Sequence, residues 1–459
     1  MEIIPDLLKH GCKMAPKNIA IEYNDKHLTY SDLSNEVNLV KDYLLNKGVK
    51  PGDRVALCLS NSHLFVSLFF ALSDIGAIAV PLNISYKQEE INKYLNTAYI
   101  KCFIFPDTIS LKKKYSEIND KISIKVRPGE EVLHQLSSGS TAMPKRVGRT
   151  HFNILNEAQS ISYALRLSSK DKILCLASLF HAYGFGFGMM ASIYSGATLV
   201  ITDGFKPSAI LNLLERENIS VLFAVPHMFS ILSKAARNKK IKFSSLRWCF
   251  SSGISLPAEM AGVFYDQFGI FPRQIYGTTE TGCLTINSSR NIEDNSNSVG
   301  QPIGGVKIDI TSSGEIRAKS SSAGKYYYDG DGQRSPLLQD GYFYTGDIGK
   351  IDAYGNLYIT GRGTCFINVA GAKVAPQEIE EVLRTCPLVE DVAVLGVPDR
   401  LRGEAIKAVI VPQNGRQISR KEIVKYCRIK LADFKMPRII EFREEIPKSS
   451  LGKVLRGYL

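Results

Sequence analysis

The segment 137–145 brings together the residue types that bind a polyanion. It reads Ser-Ser-Gly-Ser-Thr-Ala-Met-Pro-Lys, so that small hydroxyl residues surround one glycine and a lysine ends the run. Backbone N–H groups, hydroxyl groups and an ammonium group can then converge on one point, which suits a triphosphate because it accepts many hydrogen bonds. The spacing is not that of a Walker loop. Since an ordinary surface loop can have the same composition, the interpretation depends on the rest of the chain.

Four further segments carry residues that could act beside a nucleotide. Tyr276-Gly-Thr-Thr-Glu280, after a predicted strand, offers a ring for a base and a carboxylate for Mg²⁺. Tyr344-Thr-Gly-Asp347 offers a carboxylate for ribose hydroxyl groups. The other two are 361–371, which is rich in glycine, and 447–456, which places a lysine after a glycine. Each alone would more often be a strand end, a hairpin turn or a solvated tail, but their joint occurrence favours one site.

Alternating strand and helix patterns predict the scaffold that positions these segments. Between about residues 54 and 276, strand-like runs such as 221–225 alternate with helical patterns such as 207–216. This alternation predicts an α/β fold with a parallel, helix-covered sheet and ligands at the carboxyl ends of the strands. The apolar stretch 64–82 is interrupted by polar and helix-breaking residues, which predicts a buried helix and a strand instead of a transmembrane segment.

Turn signals and glycines predict where the chain divides into domains. From about 299 to 361, short strands between turns predict a small antiparallel barrel or distorted sheet. Gly361-Arg-Gly-Thr364 is the predicted junction, because its glycines can absorb backbone rotation. We therefore predict an N-terminal core, 1–361, and a small mobile α+β domain, 362–459.

Composition and charge narrow the class of protein. The 459 residues are 44% hydrophobic and 22% charged, as in a globular protein of two or three domains. The net charge of +12 is spread over short clusters, which argues against nucleic acid and favours an acidic substrate or an acidic carrier protein. Nine cysteines without a Cys-x-x-Cys pair, and an N-terminus without a signal-peptide pattern, predict a reducing, cytoplasmic location. We expect a monomer or a homodimer.

Together, these motifs resemble those of the adenylate-forming superfamily, which includes acyl- and aryl-CoA synthetases, adenylation domains of peptide synthetases and beetle luciferase. The resemblance runs from Leu28-Thr-Tyr-Ser-Asp-Leu to Arg456. It implies a two-step reaction. A carboxylate attacks the α-phosphate of ATP to give acyl-AMP and pyrophosphate, and the thiol of CoA or of carrier-protein phosphopantetheine then displaces AMP.

The resemblance also implies roles for individual residues. The predicted catalytic residues are Lys453, which would bridge the acid and the α-phosphate, and Glu280 and Thr141, which would lie at Mg²⁺. Gly371 would line the path of the thiol, and Thr364 occupies the hinge position. The predicted nucleotide-binding residues are Ser137, Ser138, Gly139, Ser140, Thr141, Lys145, Gly253, Tyr276, Gly277, Thr278, Thr279, Asp347, Arg362 and Lys453.

Three positions depart from the family pattern. Ala142 and Arg146 stand where the phosphate loop normally has glycine, and Thr364 stands where the hinge is usually aspartate or lysine. Alanine at 142 would disfavour a positive φ and slow loop rearrangement. We expect the Arg146 side chain either to engage phosphate or to point to solvent, and threonine at the hinge position 364 to alter rates only modestly.

The segment Phe180-His-Ala-Tyr-Gly184 resembles the family segment that gates the carboxylate pocket. It lacks the aspartate with which amino-acid-activating domains bind the substrate ammonium group, so we expect a fatty, aryl or other apolar acid. The predicted substrate-binding residues are His181, Tyr183, Gly184, Phe223, Val225 and Gly253. The run 184–188 mimics part of a dinucleotide fingerprint but follows no suitable strand, which favours a pocket wall.

The leading hypothesis is an ATP-dependent acyl- or aryl-CoA ligase. The alternatives are an acyl-AMP ligase that loads a carrier protein, a luciferase-like oxygenase that shares the motifs, and a catalytically silent relative. The last is disfavoured because Lys453, Glu280 and Asp347 are all present.

Overall fold

The structure is a computed structural model that describes residues 1–87, 90–91, 100–104, 125–137, 145–236, 241–289, 295–329, 332–362, 366–413 and 418–447. Of residues 137 and 362 it describes the backbone alone. Within these ranges the chain forms two helix-covered sheets, a small antiparallel sheet and a C-terminal α+β domain. The predicted α/β fold is confirmed.

The first sheet is parallel at its centre and antiparallel at both edges. Each central strand is buried on both faces, as expected for a sheet covered by helices. The edge strands pair antiparallel, an outcome that the alternation of strands and helices did not indicate. In spatial order the strands are β14 (Gln301–Pro302), β13 (Gly282–Ile286), β12 (Arg273–Thr278), β11 (Trp248–Ser251), β10 (Val221–Ala224), β8 (Lys172–Cys175), β9 (Thr198–Ile201), β1 (Ile19–Tyr23) and β2 (Lys26–Thr29).

The second sheet carries the hairpin that flanks the predicted phosphate loop. In spatial order its strands are β18 (Arg334–Pro336), β17 (Tyr326–Tyr328), β7 (Lys145–Thr150), β6 (Glu131–Ser137), β4 (Ile78–Pro81), β3 (Arg54–Leu57) and β5 (Ile100–Ile104). Strands β17 and β18 come from the region 299–361, which the sequence predicted as one antiparallel unit. That prediction was wrong for these two strands, because turn signals show where a strand ends but not which sheet edge it joins.

Ten α-helices occur in the described ranges. A helix at His63–Ile75 followed by strand β4 confirms the interpretation of the stretch 64–82. Among the described residues, no helix is long and apolar enough to cross a membrane. The helices are α1 (Pro5–Met14), α2 (Tyr30–Asn46), α3 (His63–Ile75), α4 (His151–Leu165), α5 (Ala191–Ser195), α6 (Pro207–Arg216), α7 (Pro226–Ala235), α8 (Ala258–Phe268), α9 (Pro376–Arg384) and α10 (Arg420–Lys430).

The remaining strands form a small sheet and the C-terminal domain. The small sheet is antiparallel, with β15 (Val306–Ile310), β16 (Glu315–Ser320), β19 (Phe343–Ile351) and β20 (Leu357–Arg362). The C-terminal sheet has β22 (Ala372–Val374), β21 (Ile367–Val369), β24 (Gly403–Pro412) and β23 (Val389–Asp399), and β25 (Ile439–Phe442) pairs with β24. Helices α9 and α10 contribute apolar side chains to this domain's own core. The predicted domain boundary at 361/362 stays a prediction.

His151 is a buried histidine with a structural role at the start of α4. Its Nδ1 accepts a hydrogen bond from the backbone N–H of Ile4 at 3.2 Å, which requires that Nδ1 carry no proton. Burial lowers the pKa of this imidazole to about 4. The ring is therefore neutral in the folded protein at pH 7.

Candidate active site

The two ends of the predicted phosphate loop belong to strands β6 and β7, which pair antiparallel. Ser137, at the end of β6, lies opposite Lys145, at the start of β7. The strand pairing therefore places both ends of the loop beside one another. The intervening residues lie outside the described residues, so the roles of Ser138, Gly139, Ser140, Thr141 and Ala142 stay predictions.

Tyr327 connects two of the predicted nucleotide-site residues. Its hydroxyl group donates a hydrogen bond to Glu280 Oε1 at 3.1 Å, and Lys145 Nζ lies 5.1 Å from the centroid of its ring. Strand β17 brings Tyr327 here by pairing with β7, where it lies opposite Val147. Burial and the nearby Glu280 carboxylate raise the pKa of the Tyr327 phenol, so it remains a hydrogen-bond donor. Sequence reasoning missed this residue, because nothing distinguishes it within three successive tyrosines.

A buried ion pair fixes the turn that follows Glu280. Arg149 Nη2 lies 2.7 Å from Glu157 Oε2, and both side chains are excluded from solvent. The other carboxylate oxygen of Glu157 accepts the backbone N–H of Cys283 at 2.9 Å. Sequence reasoning missed this support. A signal existed, because Glu157 is an acid on the apolar stripe of α4, three residues after Ile154.

Tyr276 and Asp347 meet inside the protein. The Tyr276 hydroxyl group donates to Asp347 Oδ2 at 2.7 Å, and each residue is only 7% exposed. Asp347, in β19, lies opposite Arg362 in β20, so the small sheet pairs the backbones of the two residues predicted to contact the ribose. The segment 276–280 was predicted to follow a strand. Its first three residues instead lie inside β12, and Thr278 Oγ1 accepts the backbone N–H of Thr281 at 3.2 Å in the turn.

Arg146 does not adopt one of its two expected positions, that facing solvent, and its contact with phosphate stays a prediction. Arg146, in β7, lies opposite Leu136 of β6. The residue is 2% exposed, so its side chain does not point to solvent. Its guanidinium group lies 5.5 Å from the Tyr328 ring centroid and donates to the carbonyl oxygen of Asp329 at 3.3 Å. Burial lowers the pKa of Arg146 to about 10, which leaves it charged at pH 7. Arg146 therefore stabilises the β6–β7 hairpin through its contacts with Tyr328 and Asp329.

The predicted acid-pocket segment leads into a buried π-helix, Gly184–Met190. A Cβ on Gly184 would lie 2.4 Å from the carbonyl oxygen of Ser178, so only glycine fits there. The Tyr183 hydroxyl group donates to the carbonyl oxygen of Phe250 at 2.9 Å, which ties this segment to β11. Phe223 is fully buried and packs against Phe250, so it supports the predicted acid-pocket segment from the protein interior. This geometry is not the strand-to-helix turn of a dinucleotide site.

His181 is the polar residue of this segment. It keeps an accessible face, as a side chain lining a cleft does. The surrounding protein nevertheless removes enough water to lower the pKa of its imidazole. Its ring contacts that of Phe180, with 4.5 Å between the centroids. A neutral imidazole beside an aromatic ring suits the gate of an apolar pocket better than a site for a cation.

The C-terminal domain reaches the core at two of the predicted substrate residues. Gly371 lies at the tip of the β21–β22 hairpin with φ +92°, and Gly253 has φ +94°. A Cβ on Gly253 would lie 3.5 Å from Gly371 Cα, and a Cβ on Gly371 would lie 3.5 Å from Val225 Cγ1. The residue predicted for the thiol path therefore meets residues predicted for the acid. Lys453 and Thr364 lie outside the described residues, and their roles stay predictions.

The two-sheet core, the small antiparallel sheet and the separate C-terminal domain define the adenylate-forming fold. The chain belongs to the AMP-binding enzyme family, whose model matches residues 8–332, and the model of the AMP-binding enzyme C-terminal domain matches residues 378–453. It is an AMP-forming acid–thiol ligase.

Relatives and solved structures match nearly the whole chain. Feruloyl-CoA synthase from an Amycolatopsis species is 29% identical over 472 residues, covering 97% of this chain and 96% of that protein. A double mutant of o-succinylbenzoate CoA synthetase from Bacillus subtilis, bound with its product analogue OSB-NCoA, is 25% identical with a TM-score of 0.91 and coverage of 99% and 98%. The structure of that synthetase with the acyl-adenylate OSB-AMP gives a TM-score of 0.73 at 24% identity, with coverage of 100% and 98%.

Proposed function

We propose that the chain activates an aryl or other apolar carboxylic acid, not an amino acid, and transfers it to the thiol of CoA. The observation that carries this proposal is the meeting of Gly371 with Val225 and Gly253, where an acyl group and a thiol would have to approach one another. The segment 180–184 contains no acidic side chain that could pair with a substrate ammonium group.

In the first step, an oxygen of the acid attacks the α-phosphorus of ATP, and the bond to the β-phosphate breaks to release pyrophosphate. Lys453 would lie between the two anions and offset the charge that develops on their oxygens. Asp347, held by the Tyr276 hydroxyl group, would accept hydrogen bonds from the ribose. Lys145, beside Tyr327, would lie at the β- and γ-phosphates.

Glu280 fits the requirements of Mg²⁺. In nucleotide sites this ion takes one or two protein carboxylates and completes its shell with phosphate oxygens and water. Within the described residues no group of three or more metal-ligating side chains occurs, so one carboxylate would act with the phosphates of ATP. Mg²⁺ would neutralise phosphate charge, while Tyr327 holds the Glu280 carboxylate in position. Thr141 is the second predicted contact.

In the second step, the thiol attacks the acyl carbon and AMP leaves. We assign the observed domain arrangement to this step. The position of Gly371 supports the assignment. The TM-scores support it as well, because the score is 0.91 against the synthetase bound with a CoA product analogue and 0.73 against the same synthetase with an acyl-adenylate. Rotation of the C-terminal domain would then move Lys453 away from the reacting groups and bring Gly371, with the path of the thiol, into place.

The test is a panel of aryl, fatty, dicarboxylic and amino acids, each assayed with CoA and with a phosphopantetheinylated carrier protein. We expect AMP and pyrophosphate from at least one aryl or fatty acid, with CoA as the acceptor. A Glu280→Gln variant should lose this activity, while Glu259→Gln, at an exposed position, should retain it. If only amino acids were activated, the proposed class of acid would be wrong. If only the carrier protein were acylated, the proposed acceptor would be wrong.

The proposed location is cytoplasmic. The eight cysteines in the described part of the chain are free thiols, which supports a reducing compartment. The expected monomer or homodimer stays a prediction.

A further inference from the structure

A buried lysine joins the two domains through a pair of carboxylates. Lys435, in the short turn Asp433–Lys435 of the C-terminal domain, has a side chain only 4% exposed. Its Nζ lies 2.5 Å from Oε1 of Glu90, which belongs to the N-terminal core, and 2.6 Å from Oε1 of Glu378 in α9. One ammonium group therefore binds one carboxylate from each domain.

Two aromatic rings separate this cluster from water. The ring centroids of Tyr86 and Phe434 lie 4.6 and 5.5 Å from Lys435 Nζ. Glu90 is itself held, since its Oε2 accepts the backbone N–H of Lys87 at 3.0 Å. Burial alone would lower the pKa of Lys435, but Tyr86 and the two carboxylates raise it above its ordinary value. The lysine is therefore charged, and its contacts are charge-assisted hydrogen bonds in a dry environment.

The two carboxylates differ in what a domain rotation would do to them. Glu378 and Lys435 belong to the same domain, so their contact can persist when that domain turns. Glu90 belongs to the other domain and pairs with Lys435 only in the arrangement seen here. In the arrangement seen here the Glu90 carboxylate is only 6% exposed, and Lys435 supplies the cation that a buried carboxylate requires.

We propose that Glu90 and Lys435 form a latch that holds the C-terminal domain where Gly371 meets Val225 and Gly253. They are positioning residues for thiol transfer, and this role rests on the proposed function. The other ion pairs between the domains that the described residues form are exposed. Lys87–Asp433 has side chains 38% and 82% exposed, and Arg400–Glu259 has side chains 88% and 78% exposed. Such pairs contribute little.

The test variant is Glu90→Gln. It keeps the shape and an acceptor for the Lys87 N–H, and it leaves the neutral pair Lys435–Glu378 inside the C-terminal domain. Lys435→Met is less suitable, because it would leave two buried carboxylates without a cation and could prevent folding.

The first measurement needs no acid substrate. Lys87 Nζ lies 3.6 Å from Asp433 Oδ1 at the surface beside the latch, so a carbodiimide should couple the two residues in this arrangement. We expect the coupling yield, measured by peptide mass spectrometry of the whole protein, to fall at least fivefold in Glu90→Gln. The pair Lys172–Glu217, 3.5 Å apart within the N-terminal core, should couple equally in both proteins. An unchanged Lys87–Asp433 yield would overturn the proposal.

The second measurement separates the two half-reactions. With an acid taken from the substrate panel, Glu90→Gln should transfer preformed acyl-AMP to CoA at least fivefold more slowly, while pyrophosphate exchange stays within twofold of the wild type. Glu259→Gln, at the exposed pair, should change neither rate. Equal loss of both half-reactions in Glu90→Gln would indicate a merely structural role and overturn the proposal. Because the coupling measurement involves no ligase chemistry, the latch and the proposed function can fail separately.

Discussion

Replacing Tyr276 by phenylalanine removes the hydroxyl group that lies 2.7 Å from Asp347 Oδ2 and leaves the ring in place. Both residues are 7% exposed, so water does not readily replace the lost donor. A hydrogen bond to a charged group is worth about 1.5–3 kcal/mol, which corresponds to about a 10- to 150-fold change. We therefore expect kcat/KM for ATP to fall by about that factor, because Asp347 would hold the ribose less well.

The assay compares ATP with 2′-deoxy-ATP at a saturating concentration of the acid. If Tyr276 acts through Asp347 on the ribose, Tyr276→Phe should reduce the preference for ATP, because the deoxy substrate already lacks one hydroxyl group. An equal loss for both nucleotides, or a kcat/KM for ATP within twofold of the wild type, would refute this reasoning.

Tyr30→Phe is the matched control. The Tyr30 hydroxyl group donates to the carbonyl oxygen of Ala197 at 3.2 Å, and the residue is 1% exposed. Neither residue belongs to the predicted site. This variant should lose about 0.5–1.5 kcal/mol of unfolding free energy, as expected for a hydrogen bond between neutral groups, and keep its kcat/KM for ATP.

Three further variants test other parts of the structure. Folding lowers the pKa of His151 to about 4, below its unfolded value near 6.5, so the unfolded chain binds the proton first and stability falls as pH drops between these values. His151→Asn keeps an acceptor for the Ile4 N–H and should flatten this part of the curve of urea midpoint against pH; an unchanged slope would contradict the assignment. Gly371→Ala should slow thiol transfer at least tenfold and spare pyrophosphate exchange, whereas Gly355→Ala, which has a similar φ of +82° and open space around it, should affect stability alone. Lys453→Ala should lose pyrophosphate exchange yet still transfer the acyl group of a supplied acyl-AMP to CoA. Equal loss of both steps would refute the assignment of Lys453 to the first step alone.

The helices and the central strand that the sequence predicted have signals that are local in the chain. Pro207–Arg216 has proline at its first position and an apolar stripe, and its observed bounds match the prediction. The sheet edges were harder, because pairing partners far apart in the chain decide them. Strand β17 joins β7 across 180 positions, from Tyr327 to Val147, and no local pattern encodes that choice.

Site residues that belong to a family motif could be predicted from the sequence. The contacts that hold them in place could not, because they form only through tertiary packing. Motifs identified Glu280 and Asp347, but their partners Tyr327 and Tyr276 became visible as hydrogen-bond donors only in the fold. The solvent-facing alternative for Arg146 failed because a charged residue beside a loop is usually expected to reach water. The hairpin register instead places it against Tyr328, where a cation can lie over an aromatic ring.

The most direct test of the account follows an oxygen atom of the acid. The proposed first step joins a carboxylate oxygen to the α-phosphorus of ATP, and the thiol then cleaves the bond between that oxygen and the acyl carbon. With a substrate acid labelled with ¹⁸O in its carboxylate, mass spectrometry should therefore find one labelled oxygen in AMP and none in pyrophosphate. Label in inorganic phosphate together with ADP, or unlabelled AMP in the presence of acyl-CoA product, would contradict the account.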